Sequence, residues 1–215
     1  MKKINNAPQK LITAIACLIM ISSSFYLIAQ DKKNNKKNTD GYRLSFREKT
    51  GQLDTLFKNP KPDEINLSDN CVRYKRNPSV KYDYIKLDIN KDLKTSMIQH
   101  LQKAEKNMLK YRMKVFSNAP AGTTIELLVG KNIGEKDYPD GTYGHFRTKS
   151  SSSGKWEELE FEFIQTPQGS SVSAEQINQI TLLFNPDTSS SDFYYFDLNS
   201  ITLSNSNAGT KNTQQ

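Results

Sequence analysis

The octet Trp156-Glu157-Glu158-Leu159-Glu160-Phe161-Glu162-Phe163 allows very little conformational choice. Leu159, Phe161 and Phe163 alternate with Glu158, Glu160 and Glu162, a repeat of two. In a strand that repeat places three apolar side chains on one face and three carboxylates on the other. On a helix the same residues would scatter around the cylinder. The octet therefore reads as a strand of an antiparallel sheet, one face buried and one in water. The carboxylate row is read first as a solubility device. Trp156 falls on the parity of the glutamates, which places it at the start of the strand or after a bulge.

Other short alternating runs follow the same logic. They are Tyr42/Leu44/Phe46, the cluster Leu53, Leu56 and Phe57, Val72–Arg76, Tyr82–Ile89, Leu109–Phe116, Ile125/Leu127/Val129, Tyr143–Thr148, Ile180/Leu182/Phe184 and Tyr194/Phe196/Leu198. Asn59-Pro60-Lys61-Pro62, Asn77-Pro78, Ser117–Gly122, Ser150–Gly154 and Asn185-Pro186-Asp187 separate them with turn chemistry. Ile201 and Leu203 take the opposite parity to Leu198, so a bulge or bend is expected near Leu198–Ser200. Residues 92–106 are the one expected helix, with Met97, Ile98, Leu101 and Ala104 on one stripe. His100 lies off that stripe and has no metal-ligating neighbours. Eight to ten short strands and one short helix make an all-β chain, a β-sandwich or jelly roll.

The ends differ from this pattern. Residues 1–29 carry three lysines and then an apolar run from Leu11 to Ala29, the form of a secretory signal. Cleavage near Ala29, retention as an N-terminal membrane anchor, and lipidation at Cys17 (behind a poor lipobox) all remain open; in each case the domain is exported, to a periplasmic, surface-bound or secreted location. Residues 30–41 are a Lys/Asn-rich tether, 42–204 the folded domain and 205–215 a polar tail. Seven lysines and one aspartate precede residue 40, so the formal charge of +7 leaves only about +1 on the rest. A nucleic-acid binder needs basic groups gathered on its folded surface, so that class is set aside. Cys71 is then the one cysteine of the domain and reads as a small buried filler in a strand.

Catalytic patterns are absent from the sequence. There is no metal-ligand spacing among His, Cys, Asp and Glu, no phosphate-binding glycine loop and no nucleophile elbow. Adjacent glutamates on one exposed strand do not form the facing pair of glycoside hydrolysis. The long segment 132–142 reads as a surface loop punctuated by Gly134, Pro139 and Gly141. In or beside it Tyr138, Tyr143 and His145 interleave with Asp137, Asp140 and Arg147. Aromatic faces with planar polar groups are what a sugar ring requires, and tyrosine is also an ordinary constituent of β-sheets.

Six motifs in order carry a family resemblance. They are Asn59-Pro60 with Asn66–Asn70 and Tyr74–Asn77, Lys114–Thr123, Tyr138–Thr142, Lys155–Leu159, Leu182–Pro186 and Tyr194–Asp197. This succession resembles the galactose-binding-like jelly-roll modules, akin to carbohydrate-binding modules, of secreted Bacteroidetes proteins. The resemblance implies a non-catalytic sandwich that binds glycan, with a structural calcium between the first and last strands. Asp197 matches the last-strand aspartate of that pattern, whereas Phe46-Arg47 stands where the family has Phe-Glu, leaving Glu48 offset by one. It also implies core packing for Trp156. The expectation is an exported glycan-binding module with Tyr138, Tyr143, His145, Arg147 and Arg76 at its ligand face. A structural or adhesion domain for a protein partner at the envelope is the alternative, and a jelly-roll hydrolase or lyase the third.

Overall fold

The computed structural model describes residues 44–89, 109–134 and 138–205, all within one compact unit, Lys37–Gln215. The expected helix at 92–106 with His100, the leader, the tether, Tyr42, Asp137 and the tail lie outside the described residues.

Among the described residues eleven strands form, all antiparallel. In chain order they are β1 (Leu44–Lys49), β2 (Gln52–Lys58), β3 (Asn70–Lys75), β4 (Tyr84–Ile89), β5 (Leu109–Ser117), β6 (Thr124–Gly130), β7 (Thr142–Lys149), β8 (Trp156–Gln165), β9 (Gln179–Phe184), β10 (Phe193–Phe196) and β11 (Thr202–Asn205). The first sheet runs β1-β4-β9-β6-β7 and the second β5-β10-β3-β2, with β11 also on β5. The fold is an all-β jelly-roll sandwich.

β8 belongs to both sheets. Its first half, Trp156–Phe161, pairs with β5, and its second half, through Phe163 and Gln165, pairs with β7. Ten residues at about 3.3 Å each give it the length to turn this corner. A register shift between His145 and Phe146, which leaves Ile164 unpaired, supplies the bend.

The alternation seen in the sequence closes the core. Ile85, Leu87, Ile125, Leu127, Ile180 and Leu182 from the first sheet meet Val72, Met113, Leu159, Phe161 and Phe196 from the second, all buried. Tyrosines join them: Tyr194 stacks on Phe184 at 4.6 Å and Tyr111 meets Phe146 edge-on at 4.8 Å. β10 and β11 lie end to end along the same edge of β5. Phe196 pairs with Val115 and Thr202 with Arg112, so three extra residues are accommodated between them. An odd insertion exchanges the two faces, which is why Ile201 breaks parity with Phe196 and is still buried. A 3-10 turn at Leu198–Ser200 absorbs the extra residues, and Asp197 caps it by accepting from Asn199 N at 2.9 Å.

A second, smaller apolar cluster lies on the outer face of the second sheet. Cys71, Phe116, Trp156 and Tyr195 are buried there, with Phe57, Ile65 and Phe193 packed against them. Trp156 keeps the parity of the glutamates and opens its strand, as expected. It is nevertheless buried, because its indole Nε1 donates to Asn59 Oδ1 at 2.9 Å. Cys71 is the buried filler expected of it, and burial, followed by Asp197 and Asp54, pushes its thiol up to about 12. Further along β8 the carboxylate row is partnered: Glu160 accepts from Arg112 at 2.8 Å, and Lys110 lies 2.6 Å from the same carboxylate.

Candidate functional site

Directly paired residues of an antiparallel sheet share a face, so the outward residues of the first sheet line up in rows. One row runs Tyr84, Leu183, Glu126, Arg147, Glu162. The next runs Glu48, Lys86, Thr181, Leu128, His145, Gln165. A third contains Asp88, Gln179 and Gly130. Lys86, Glu126, His145, Gln179 and Thr181 are buried although they face away from the main core. Desolvated polar groups are costly without partners, and here most are paired.

Glu126 is the centre. Arg147 holds Oε1 side-on, from Nε at 2.8 Å and from Nη2 at 2.7 Å, while His145 Nε2 stands 3.2 Å from Oε2. Burial works to raise the Glu126 carboxyl, but His145 and then Arg147 outweigh it, and the group sits below the ordinary carboxylate range. Toward the β1 edge, Arg47 pairs with Asp88 at 3.1 Å and donates to Gln179 Oε1, and Gln179 in turn donates to Thr181 at 3.1 Å. Lys86 lies 3.1 Å from Glu48 and 4.7 Å above the Tyr84 ring. The hydrogen bond from Tyr84, with Lys86 and Arg47 adding to it, holds Glu48 low as well.

Two of the expected ligand residues meet in this constellation: His145, 7% exposed, and Arg147, whose side chain is 44% exposed. Tyr138 stands apart in the turn at 138–141, 57% exposed, and Asp140 O there accepts from Ser171 N at 3.1 Å. Tyr143 is half-buried and packs against the main core, so much of its ring is already committed.

Arg76 requires correction. It is 1% exposed, and its guanidinium donates to Thr188 Oγ1, Ser190 Oγ and the carbonyls of Val80, Lys81 and Thr188 at 2.8–3.1 Å. Its Nε lies 3.8 Å from Asp83, also buried. A guanidinium enclosed in this way pins two loops together and meets no ligand. Nothing in Tyr74-Lys75-Arg76-Asn77 distinguishes it from a surface arginine.

Among the described residues, Glu48 and Asp197 do not come together as a donor set for the calcium implied by the resemblance. Glu48 carries Tyr84 and Lys86 on its carboxylate, and Asp197 is engaged as a turn cap. Among the described residues no group of three or more His, Cys, Asp or Glu could hold a metal ion. A calcium site needs six to eight oxygens.

Glu126 is the residue that sequence reasoning missed. Its outward parity between Ile125 and Leu127 was visible, but its pairing with Arg147 depends on the β6–β7 register.

No protein-family model matches the sequence, and no curated protein is detectably similar to it. Solved structures similar to the chain include a family 11 carbohydrate-binding module from Clostridium thermocellum in complex with a β-1,3-1,4-mixed-linked tetrasaccharide. It is 12% identical, with 76% of this chain and 89% of that one covered and a TM-score of 0.42. A family 30 carbohydrate-binding module is 10% identical over 75% of this chain and 94% of that one, with a TM-score of 0.45. SGBP-B from a xyloglucan utilization locus in Bacteroides uniformis is 12% identical over 80% of this chain and 49% of that one, with a TM-score of 0.46.

Proposed function

We propose that the chain is a non-catalytic glycan-binding domain whose ligand lies on the outer face of the first sheet, over Glu126, His145 and Arg147. The observation that carries this reading is the state of that face. Glu126 and Arg147 are fixed by mutual pairing before any ligand arrives, and the Arg147 side chain stays half-exposed. Sugar hydroxyls are recognised by such in-plane donors and acceptors, and pre-organisation lowers the entropic cost of binding. Tyr138 would supply an aromatic surface at the loop end of the same strand pair.

The acid–base character of the face supports binding over hydrolysis. A glycosidase needs one carboxyl raised enough to act as acid, whereas Glu126 and Glu48 are both held low. Export, through residues 1–29, is part of the same proposal and is checked by fractionating cells that express the full chain.

The test is a glycan array probed with the full chain, followed by calorimetry on any hit with Arg147→Ala and Tyr138→Ala. Saturable binding that weakens about tenfold in Arg147→Ala supports the reading. A folded protein that binds nothing on the array, or binds equally well without Arg147, removes it.

A further inference from the structure

The outer face of the second sheet carries a different chemistry. Register aligns Arg73, Tyr195, Phe116 and Trp156 in one row and Lys75 with Phe193 in the next. The rings form a continuous set: Phe57 to Tyr195 at 5.6 Å, Phe193 to Tyr195 at 6.5 Å and nearly parallel, Phe116 to Tyr195 at 5.5 Å. Two cations lie on these rings. The Arg73 guanidinium sits 3.9 Å above Phe57 and 5.8 Å from Phe193, and Lys75 Nζ lies 5.4 Å from Phe193. Two charges thus sit around one ring, each fixed by a cation–π contact.

Their acidic partners are few. Arg73 has Asp54 at 3.6 Å, with both side chains substantially exposed, and Lys75 has no acid within 4.0 Å among the described residues. This contrasts with β8 nearby, where Lys110 and Arg112 are matched by Glu158, Glu160 and Glu162. The Arg73 guanidinium carbon lies over the Phe57 ring while its side chain stays about one-third exposed, so N–H groups beside Asp54 can meet an incoming acceptor. An arginine held this way suits a carboxylate, which it can engage bidentately.

We propose that this patch is a second binding surface, specific for carboxylate-bearing sugar units of an acidic glycan. Arg73 forks the carboxylate and Lys75 supplies the adjoining charge. Only the choice of a sugar as carrier rests on the function proposed above; the demand for an anion stands on Arg73 and Lys75.

The experiment titrates the full chain with oligogalacturonate, its methyl-esterified form and poly-glutamate, by calorimetry at low and high salt. Arg73→Gln, Lys75→Gln, Asp54→Asn and Arg147→Ala are compared, with melting curves confirming that each folds. The expected result is saturable binding of oligogalacturonate alone, weakened about tenfold in Arg73→Gln and by added salt. Asp54→Asn should tighten it, because the competing carboxylate is gone, and Arg147→Ala should leave it unchanged. Absence of oligogalacturonate binding, or equal binding in folded Arg73→Gln, overturns the proposal. Equal binding of poly-glutamate at Arg73 overturns the assignment to sugar. Loss of binding in Arg147→Ala alone would place the acidic ligand on the first sheet instead.

Discussion

Trp156 Nε1 donates to Asn59 Oδ1 across 97 residues of chain, and that bond closes the 59–69 loop over the outer face of the second sheet. Asn59 is saturated by it. Its Nδ2 donates to the carbonyls of Asn66 and Ser68 at 3.1 and 2.8 Å, and its Oδ1 also accepts from Lys61 N at 3.0 Å. Trp156→Phe keeps a ring in the pocket and deletes one donor, so a loss of about 1–2 kcal/mol is expected. Asn59→Ala removes the partner of the indole, of Lys61 N and of the Ser68 carbonyl together, leaving the Asn66 carbonyl with Asp63 N alone, and should cost about 3 kcal/mol. Urea unfolding of the two variants checks the order; equal losses would mean that the loop is held by its apolar contacts and not by Asn59.

The fate of Arg76 follows from the charge left behind. Arg76→Met leaves Asp83 buried with Tyr74, Thr50 and Asn77 N as its remaining partners. Removing one member of a buried pair costs about 3–5 kcal/mol. Adding Asp83→Asn should return part of that loss, since the uncompensated charge is then gone. A double-mutant cycle by chemical denaturation measures the coupling, and purely additive losses would argue against it.

Legibility in the sequence divides along a physical line. Ile85, Leu127, Leu159, Phe161 and Phe184 were readable as core because strand parity is local, and every one of them is buried. The bend near Leu198–Ser200 was readable for the same reason, as a break in that parity. Arg76 was not, because whether a charged residue is solvated or enclosed depends on loops more than a hundred positions away. Glu126 and Arg147 carry opposite charges in neighbouring runs, a weak sign that acquires meaning only with the β6–β7 register. β8 looked like a strand of one sheet; its double membership is set by the pairing preferences of β5 and β7, which no window along β8 contains.

Gly51 stands where β1 of the first sheet passes to β2 of the second. A Cβ there would lie 2.3 Å from Lys75 O and 2.6 Å from the Tyr74 hydroxyl, and Gly51 N donates to that hydroxyl at 2.9 Å. Backbone carbonyls do not yield as side-chain ends do, so Gly51→Ala should destabilise by about 2 kcal/mol or more. Gly122→Ala is the control: φ is +87° but nothing lies within 4 Å, so about 1 kcal/mol is expected. A thermal melt in which Gly122→Ala is the worse of the two would refute the close approach at Gly51.

Cys71 makes a chemical prediction. A thiol pushed up to about 12 by burial holds almost no thiolate at neutral pH, and thiolate is the reactive form. Brief alkylation with iodoacetamide at pH 8, read by mass spectrometry of the Cys71 peptide, should label little of the native protein and all of it in urea. Rapid native labelling would show that the small cluster around Trp156 opens on its own.

Acid should act through Glu126. Its folded-state carboxyl is held below the ordinary value of 4.5, so its contribution to stability is fully present above that value. As pH falls through the depressed folded value, protonation releases Arg147 and His145 and the contribution is lost. Glu126→Gln mimics the protonated form at every pH. The melting temperature of the native protein should therefore fall more steeply than that of Glu126→Gln as pH drops below 4.5, and the two should converge at the acid end. Because Glu126 also fixes the half-exposed Arg147 edge, glycan affinity should fall over the same interval in the native protein. Parallel melting curves for the two proteins down to about pH 3 would mean that the Glu126 pairing contributes nothing to the folded state.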